Sequence, residues 1–187
     1  LFRRKRKDTK KQKSELREWI ETIVGSVLLA GFLIIFVAQS FVVQGSSMSP
    51  TLENGERLVV EKVSYRFTEP DYGDIIVFKF PYNPQEEFIK RVIALPGDTV
   101  EIRQGEVLVN NDPIDEQYIS EPPLSSFSSR EVPEDHYFVL GDNRNNSLDS
   151  RDRRVGFVPR ELIVGRAVWR YWPITEVEVL RAPAIVD

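Results

Sequence analysis

The 187-residue sequence predicts a mostly β fold, a β-sandwich or partly open barrel, tethered by one N-terminal transmembrane helix. Three observations carry that prediction. A basic tail opens the chain, a charge-free apolar run follows it, and the remainder reads as short strands between turn residues, with no long stretch of 3.6-residue period.

The tail comes first. Residues 1–19 hold nine Lys/Arg against three Asp/Glu in a chain whose formal net charge is -4, so everything after them is strongly acidic. With 41% hydrophobic and 29% charged residues, that acidic part buries a core of ordinary size and is not a disordered polymer. The absence of cysteine excludes a disulfide framework and thiolate metal sites, and a single histidine excludes two-His zinc motifs; no metal and no cofactor are expected. Met48 is the only methionine, so residues upstream of Leu1 are expected.

The second element is the run from Ile20 to Val43. No charged residue occurs between Glu21 and Glu53, and a helix over 20–43 would be ~36 Å long against a hydrocarbon core of about 30 Å. The basic block Arg3 to Lys7, with Lys10, Lys11, Lys13 and Arg17, lies directly before it. The positive-inside rule then holds 1–19 in the cytoplasm, against anionic lipid, and puts 44–187 on the extracytoplasmic side of a plasma or thylakoid membrane. A basic run abutting a span is explained by topology, so no nucleic-acid partner is expected. The triplet Ala38-Gln39-Ser40 keeps a cleavable signal peptide as an alternative to an uncleaved anchor.

The third element is the run of strands: Arg57 to Val63, Asp74 to Phe80, Glu87 to Leu95, Val100 to Arg103, Glu106 to Asn110, Tyr137 to Leu140 and Ile163 to Trp169. Gln104-Gly105 reads as a two-residue hairpin turn, and Asn110-Asn111-Asp112-Pro113 closes the next strand. Pro122 to Ser129 reads as an exposed loop of low order.

Chemistry points to hydroxyls. Gly45 to Leu52 (GSSMSPTL) is a turn-forming, hydroxyl-rich segment just beyond the span, and a serine nucleophile needs a base beside it. His136, flanked by Asp135 and Tyr137, reads as a surface residue. Lys90 interrupts an apolar strand, with Phe88, Lys90 and Val92 on one face and Ile89, Arg91 and Ile93 on the other. If buried there it would be pushed toward the neutral amine that can accept a proton, although an edge-strand lysine with its head in solvent fits the same pattern. The polar run Gly141 to Arg151 (GDNRNNSLDSR) suits a surface turn or a network supporting a base, and its spacing fails as a calcium loop.

In this order the segments resemble bacterial type I signal peptidases, the Ser/Lys leader peptidases of the S26 type. The matching boxes are SMSPTL at Ser47 to Leu52, GDIIVF at Gly73 to Phe78, KRVIALPGD at Lys90 to Asp98, GDNRNNSLDSR at Gly141 to Arg151 and GFVP at Gly156 to Pro159. The resemblance implies a membrane-anchored serine endopeptidase that removes signal peptides from exported preproteins after small residues at -1 and -3. It implies Ser47 as nucleophile, Lys90 as general base, Ser147 hydrogen-bonded to the lysine amine, Asp142 paired with Arg91, and Asp149 with Arg151 holding the loop. Phe41, Val43, Leu52 and Ile89 would wall the substrate pockets. Two departures stand out: Gly45 replaces a serine that in some members helps stabilise the oxyanion, and Asn145 replaces a common Asp. Only 49 residues separate Arg91 from Gly141, so the large accessory β domain of some relatives is expected to be absent. Self-cleaving SOS-type repressors share the chemistry but need a DNA-binding domain where this chain has its apolar run. A non-catalytic module binding peptides by strand addition would have no use for a base beside a hydroxyl.

Overall fold

Segments rich in β-branched and aromatic residues, cut by Gly, Pro and Asn, pair along their length, because neither face of such a segment has a helical stripe to bury. The computed structural model describes residues 15, 17–31 and 38–185. Two compact units divide at Ala38/Gln39. In the first, residues 17–31 are helical. No helix among the described residues is long and apolar enough to cross a membrane. Residues 32–37 of the expected span lie outside the described residues, as does most of the basic tail.

The second unit is mostly β, as expected, and consists of two antiparallel sheets. The larger is built from β1 (Ala38–Val42), β2 (Arg57–Glu61), β3 (Ile75–Phe80), β4 (Asn83–Ala94), β9 (His136–Leu140), β10 (Val158–Pro159), β11 (Ile163–Trp172) and β12 (Glu178–Val179). Its order is β1-β2-β11-β3-β4-β9-β10, with β12 on β11. The smaller sheet holds β5 (Thr99–Arg103), β6 (Glu106–Val109), β7 (Asp112–Pro113) and β8 (Phe127–Glu131) in the order β7-β6-β5-β8. Both predicted turns form: Gln104 and Gly105 each take positive φ between β5 and β6, as do Asn110 and Asn111 between β6 and β7.

Two expectations are corrected. The helix does not continue to Val43, because Ala38–Val42 is strand β1 and Val43 is buried among Met48, Leu52 and Leu58. Alternate burial of Phe41 and Val43 against a sheet outweighs the helical reading of an apolar run. The Pro/Ser-rich segment Pro122 to Ser129 is likewise not all loop, since β8 begins at Phe127 and pairs with β5.

β4 is clothed on both faces. Val92 joins Ile76, Phe78 and Val139 on one side, while Ile93 joins Val100, Phe138 and Leu140 on the other, against the smaller sheet. That double cover gives consecutive residues of β4 two dry environments.

Candidate active site

The site is built upward from β4, whose alternation sends Lys90 and Arg91 to opposite faces. Both are buried, at 4% and 2% exposure. Residues 43–52 leave β1, turn, and bury Met48 and Leu52 as an apolar plug. The turn delivers Ser47 to the lysine. Lys90 Nζ donates to Ser47 Oγ at 2.8 Å and to the Ile89 carbonyl at 2.8 Å. Burial pushes the lysine down to about 8, working against the carboxylates of Asp149 and Asp142, which favour its charged form. With no carboxylate bonded to it, the amine sits within reach of neutrality and of a hydroxyl it can deprotonate.

Arg91 is treated differently. Its Nε and Nη2 reach the two oxygens of Asp142 at 2.9 and 2.6 Å, and Nη1 donates to the Gly73 carbonyl at 3.0 Å. Thr51 Oγ1 donates to Asp142 at 2.5 Å, tying the pair to the nucleophile turn. Asp149 makes the same fork with Arg151, at 2.8 and 2.7 Å, and accepts from the Gly141 amide at 3.1 Å.

The loop 141–150 grips the nucleophile turn by its backbone. The Asn143 amide donates to the Ser47 carbonyl at 3.1 Å, Asn143 Nδ2 to the Ser46 carbonyl at 3.1 Å, and Asn146 Nδ2 to Ser46 Oγ at 3.0 Å. Gly141 lies so close that a Cβ there would overlap Ser147 Oγ and the Ser47 carbonyl. Gly45 adopts φ +85°, a left-handed conformation that glycine accepts readily and serine does not.

A groove of about 810 Å³ runs past Ser47 and Lys90. Phe41 and Val43 line it together with Phe88 and Ile89 of β4, and Glu86, Glu87 and Leu148 also line it. Among the described residues, no group of His, Asp and Glu is placed to hold a metal ion.

Two expected contacts are not made in this geometry. Leu52 does not line the groove; it is fully buried in the plug beneath the turn, where its apolar side chain is worth more. Ser147 Oγ is buried beside Gly141 but makes no hydrogen bond, to Lys90 or to any other described residue, and the lysine's second bond goes to the Ile89 carbonyl instead. Sequence reasoning also missed Arg144, whose side chain is fully buried, pairs with Glu116 and donates to the Gly141 carbonyl at 3.1 Å. Its position inside the polar box was the only signal, and nothing in the box distinguishes a buried arginine from a solvated one.

Comparison with known proteins gives this arrangement its kin. The sequence profile described as Signal peptidase, peptidase S26 matches residues 16–172. The chain belongs to that family. Signal peptidase I of Leptolyngbya laminosa is 48% identical over 180 residues, covering 92% of this chain and 88% of that one. Probable signal peptidase I-2 of Synechocystis sp. (strain ATCC 27184 / PCC 6803 / Kazusa) is 45% identical over 184 residues, with 93% and 84% covered. Thylakoidal processing peptidase 1, chloroplastic, of Arabidopsis thaliana is 43% identical over 145 residues, which span 72% of this chain and 42% of the plant protein. The S26 match runs from the helix through β11, so it takes in the nucleophile turn, β4 and the loop 141–150.

Proposed function

We propose that the chain is a membrane-anchored signal peptidase that cleaves exported preproteins after small residues at -1 and -3, with Ser47 and Lys90 as its catalytic dyad. The single observation that carries this reading is the 2.8 Å contact between a buried lysine amine, lowered to about 8, and a serine hydroxyl that lines a groove. Neutral Lys90 takes the Ser47 proton as Oγ attacks the scissile carbonyl, then gives that proton to the leaving amine. Deprotonated again, it activates the water that hydrolyses the acyl-enzyme. The preprotein enters as an extended strand between β1 and β4. Phe41, Val43 and Ile89 leave room only for small side chains at the positions nearest the cut, and the Ser47 amide is a donor for the oxyanion.

Asp142 with Arg91, and Asp149 with Arg151, support the dyad by fixing the loop that holds the nucleophile turn. Ser147, 57 residues after Lys90 in sequence, meets the lysine only if its unpartnered hydroxyl turns toward the amine when substrate excludes water. Membrane anchoring draws on the helical residues 17–31, whose apolar side chains are exposed on every side: Trp19 at 69%, Val27 at 65% and Leu28 at 68%. The anchor begins near residue 20 in this reading, with the N-terminus cytoplasmic and the β unit outside. Cleavage of a labelled signal-peptide substrate by the purified full chain, abolished in Ser47→Ala, is the test; a Ser47→Ala protein that cleaves as fast as its parent overturns the reading.

A further inference from the structure

Residues 114–126, between β7 and β8, cross the outer side of the loop 141–151 and touch it repeatedly. Glu116 pairs with Arg144. Tyr118 lays its ring over the Arg91 guanidinium, 4.1 Å from ring centre to Cζ, and accepts from Arg144 Nη2 at 3.3 Å. Asn145 donates to the Pro122 carbonyl at 3.1 Å and accepts from the Leu124 amide at 2.9 Å, and Arg151 Nη1 donates to Ser125 Oγ at 2.9 Å. Burial raises both the Glu116 carboxyl and the Tyr118 phenol above their usual ranges, as expected of a segment pressed onto the loop rather than lying in solvent.

These contacts converge on the neighbours of the dyad. Arg144 carries the pull of Glu116 and Tyr118 to the Gly141 carbonyl, and Gly141 abuts the Ser47 carbonyl. The Tyr118 ring covers Arg91, whose backbone is continuous with Lys90 and whose guanidinium holds Asp142 and, through Thr51, the far end of the nucleophile turn. A small displacement of that turn changes the Ser47–Lys90 distance and the line of attack on the carbonyl, and misplacement by about 1 Å costs on the order of a hundredfold in rate.

We propose that residues 116–125 form a strap that fixes the nucleophile turn, with Tyr118 as its positioning residue, setting the rate of the chemical step rather than the affinity for substrate. The proposal rests on Ser47 and Lys90 being the catalytic pair. The strap itself never touches the groove: none of residues 116–125 lines it among the described residues.

The test is steady-state cleavage of a labelled signal-peptide substrate by the full chain in detergent, comparing the parent with Tyr118→Ala, Tyr118→Phe, Asn145→Ala and the Tyr118→Ala/Asn145→Ala double variant. Ser47→Ala is the blank. Tyr118→Ala lowers kcat about tenfold to a hundredfold with KM within about twofold, because ground-state binding is left intact. Tyr118→Phe keeps the ring over Arg91 and restores most of kcat. Asn145→Ala lowers kcat about threefold, and the double variant loses less than the product of the two, since both release one strap. An inactive blank with unchanged kcat in Tyr118→Ala, a loss carried by KM, or a Tyr118→Phe variant as slow as Tyr118→Ala overturns the strap alone. An active blank overturns the strap and the catalytic assignment together. If Tyr118→Ala does not fold, Asn145→Ala decides by the same split, and an unchanged kcat there counts against the proposal.

Discussion

The two faces of β4 carry adjacent cations with opposite fates. Arg91 meets a forked carboxylate, a carbonyl and an aromatic ring, while Lys90 has a hydroxyl, a carbonyl and apolar walls. Burial alone therefore does not decide what a cation does in a protein. A partner of opposite charge turns burial into structure, and the lack of one leaves a neutral amine with a lone pair free to take a proton. Guanidinium suits the first role because it does not give up its proton, and ammonium the second because it does.

The sharpest way to break this contrast is to remove the reactive face. Ser47→Ala and Lys90→Ala each cost on the order of 10⁴-fold in kcat/KM or more, and the double variant costs little beyond either, because the two act as one unit. Additive losses, measured on one substrate, would mean that they do not.

Next comes stability. Asp142→Ala strands a charged guanidinium at 2% exposure and lowers unfolding free energy by about 3–5 kcal/mol. Lys90→Met, with no carboxylate to strand, leaves stability at or above the parent's near neutral pH. Denaturant unfolding of the two variants side by side tests this, and equal destabilisation would erase the difference between the faces.

pH separates them further. A folded-state value of about 8 against the ordinary 10.5 means that the folded chain binds fewer protons than the unfolded chain between those limits. Stability contributed by Lys90 therefore rises as pH climbs from about 8 to 10.5 and is flat below, by on the order of 3 kcal/mol in total. With chemistry rate-limiting, kcat/KM rises through about 8 as the amine loses its proton. A profile flat from pH 7 to 9 would remove Lys90 as base. The smallest effect belongs to His136, whose Nδ1 lies 2.7 Å from the Glu134 carbonyl and which does not line the groove. His136→Ala leaves cleavage unchanged and alters stability by no more than about 0.5 kcal/mol.

The seven strands read from the sequence all form, because period-2 alternation and turn residues are local signals. β1 was illegible for the opposite reason: Ala38–Val42 continues an apolar run, and only its partner β2, across the intervening turn, makes it a strand. β8 was hidden by its serines, since Phe127–Glu131 earns its place from pairing with β5 rather than from composition. At the site, the boxes located Ser47, Lys90 and both Arg/Asp pairs. They did not reveal that Leu52 points down into the plug, that Ser147 stands unpartnered, or that Tyr118, 27 residues from Arg91, covers it. Each of these depends on where the chain crosses itself, and no local pattern encodes a crossing.

The pairing of β4 with β3, where Ile76 faces Lys90 and Ile75 faces Arg91, gives the strand something like a reading frame. Deleting one residue between the Phe80/Asn83 turn and Lys90 would leave the composition almost untouched while moving each cation to the other face: Arg91 would take the place of Lys90 beside Ser47, and a guanidinium has no lone pair with which to accept a proton. Drift by substitution can proceed along this strand one side chain at a time, but drift by insertion or deletion cannot. Length, more than identity, is the heritable constraint on β4.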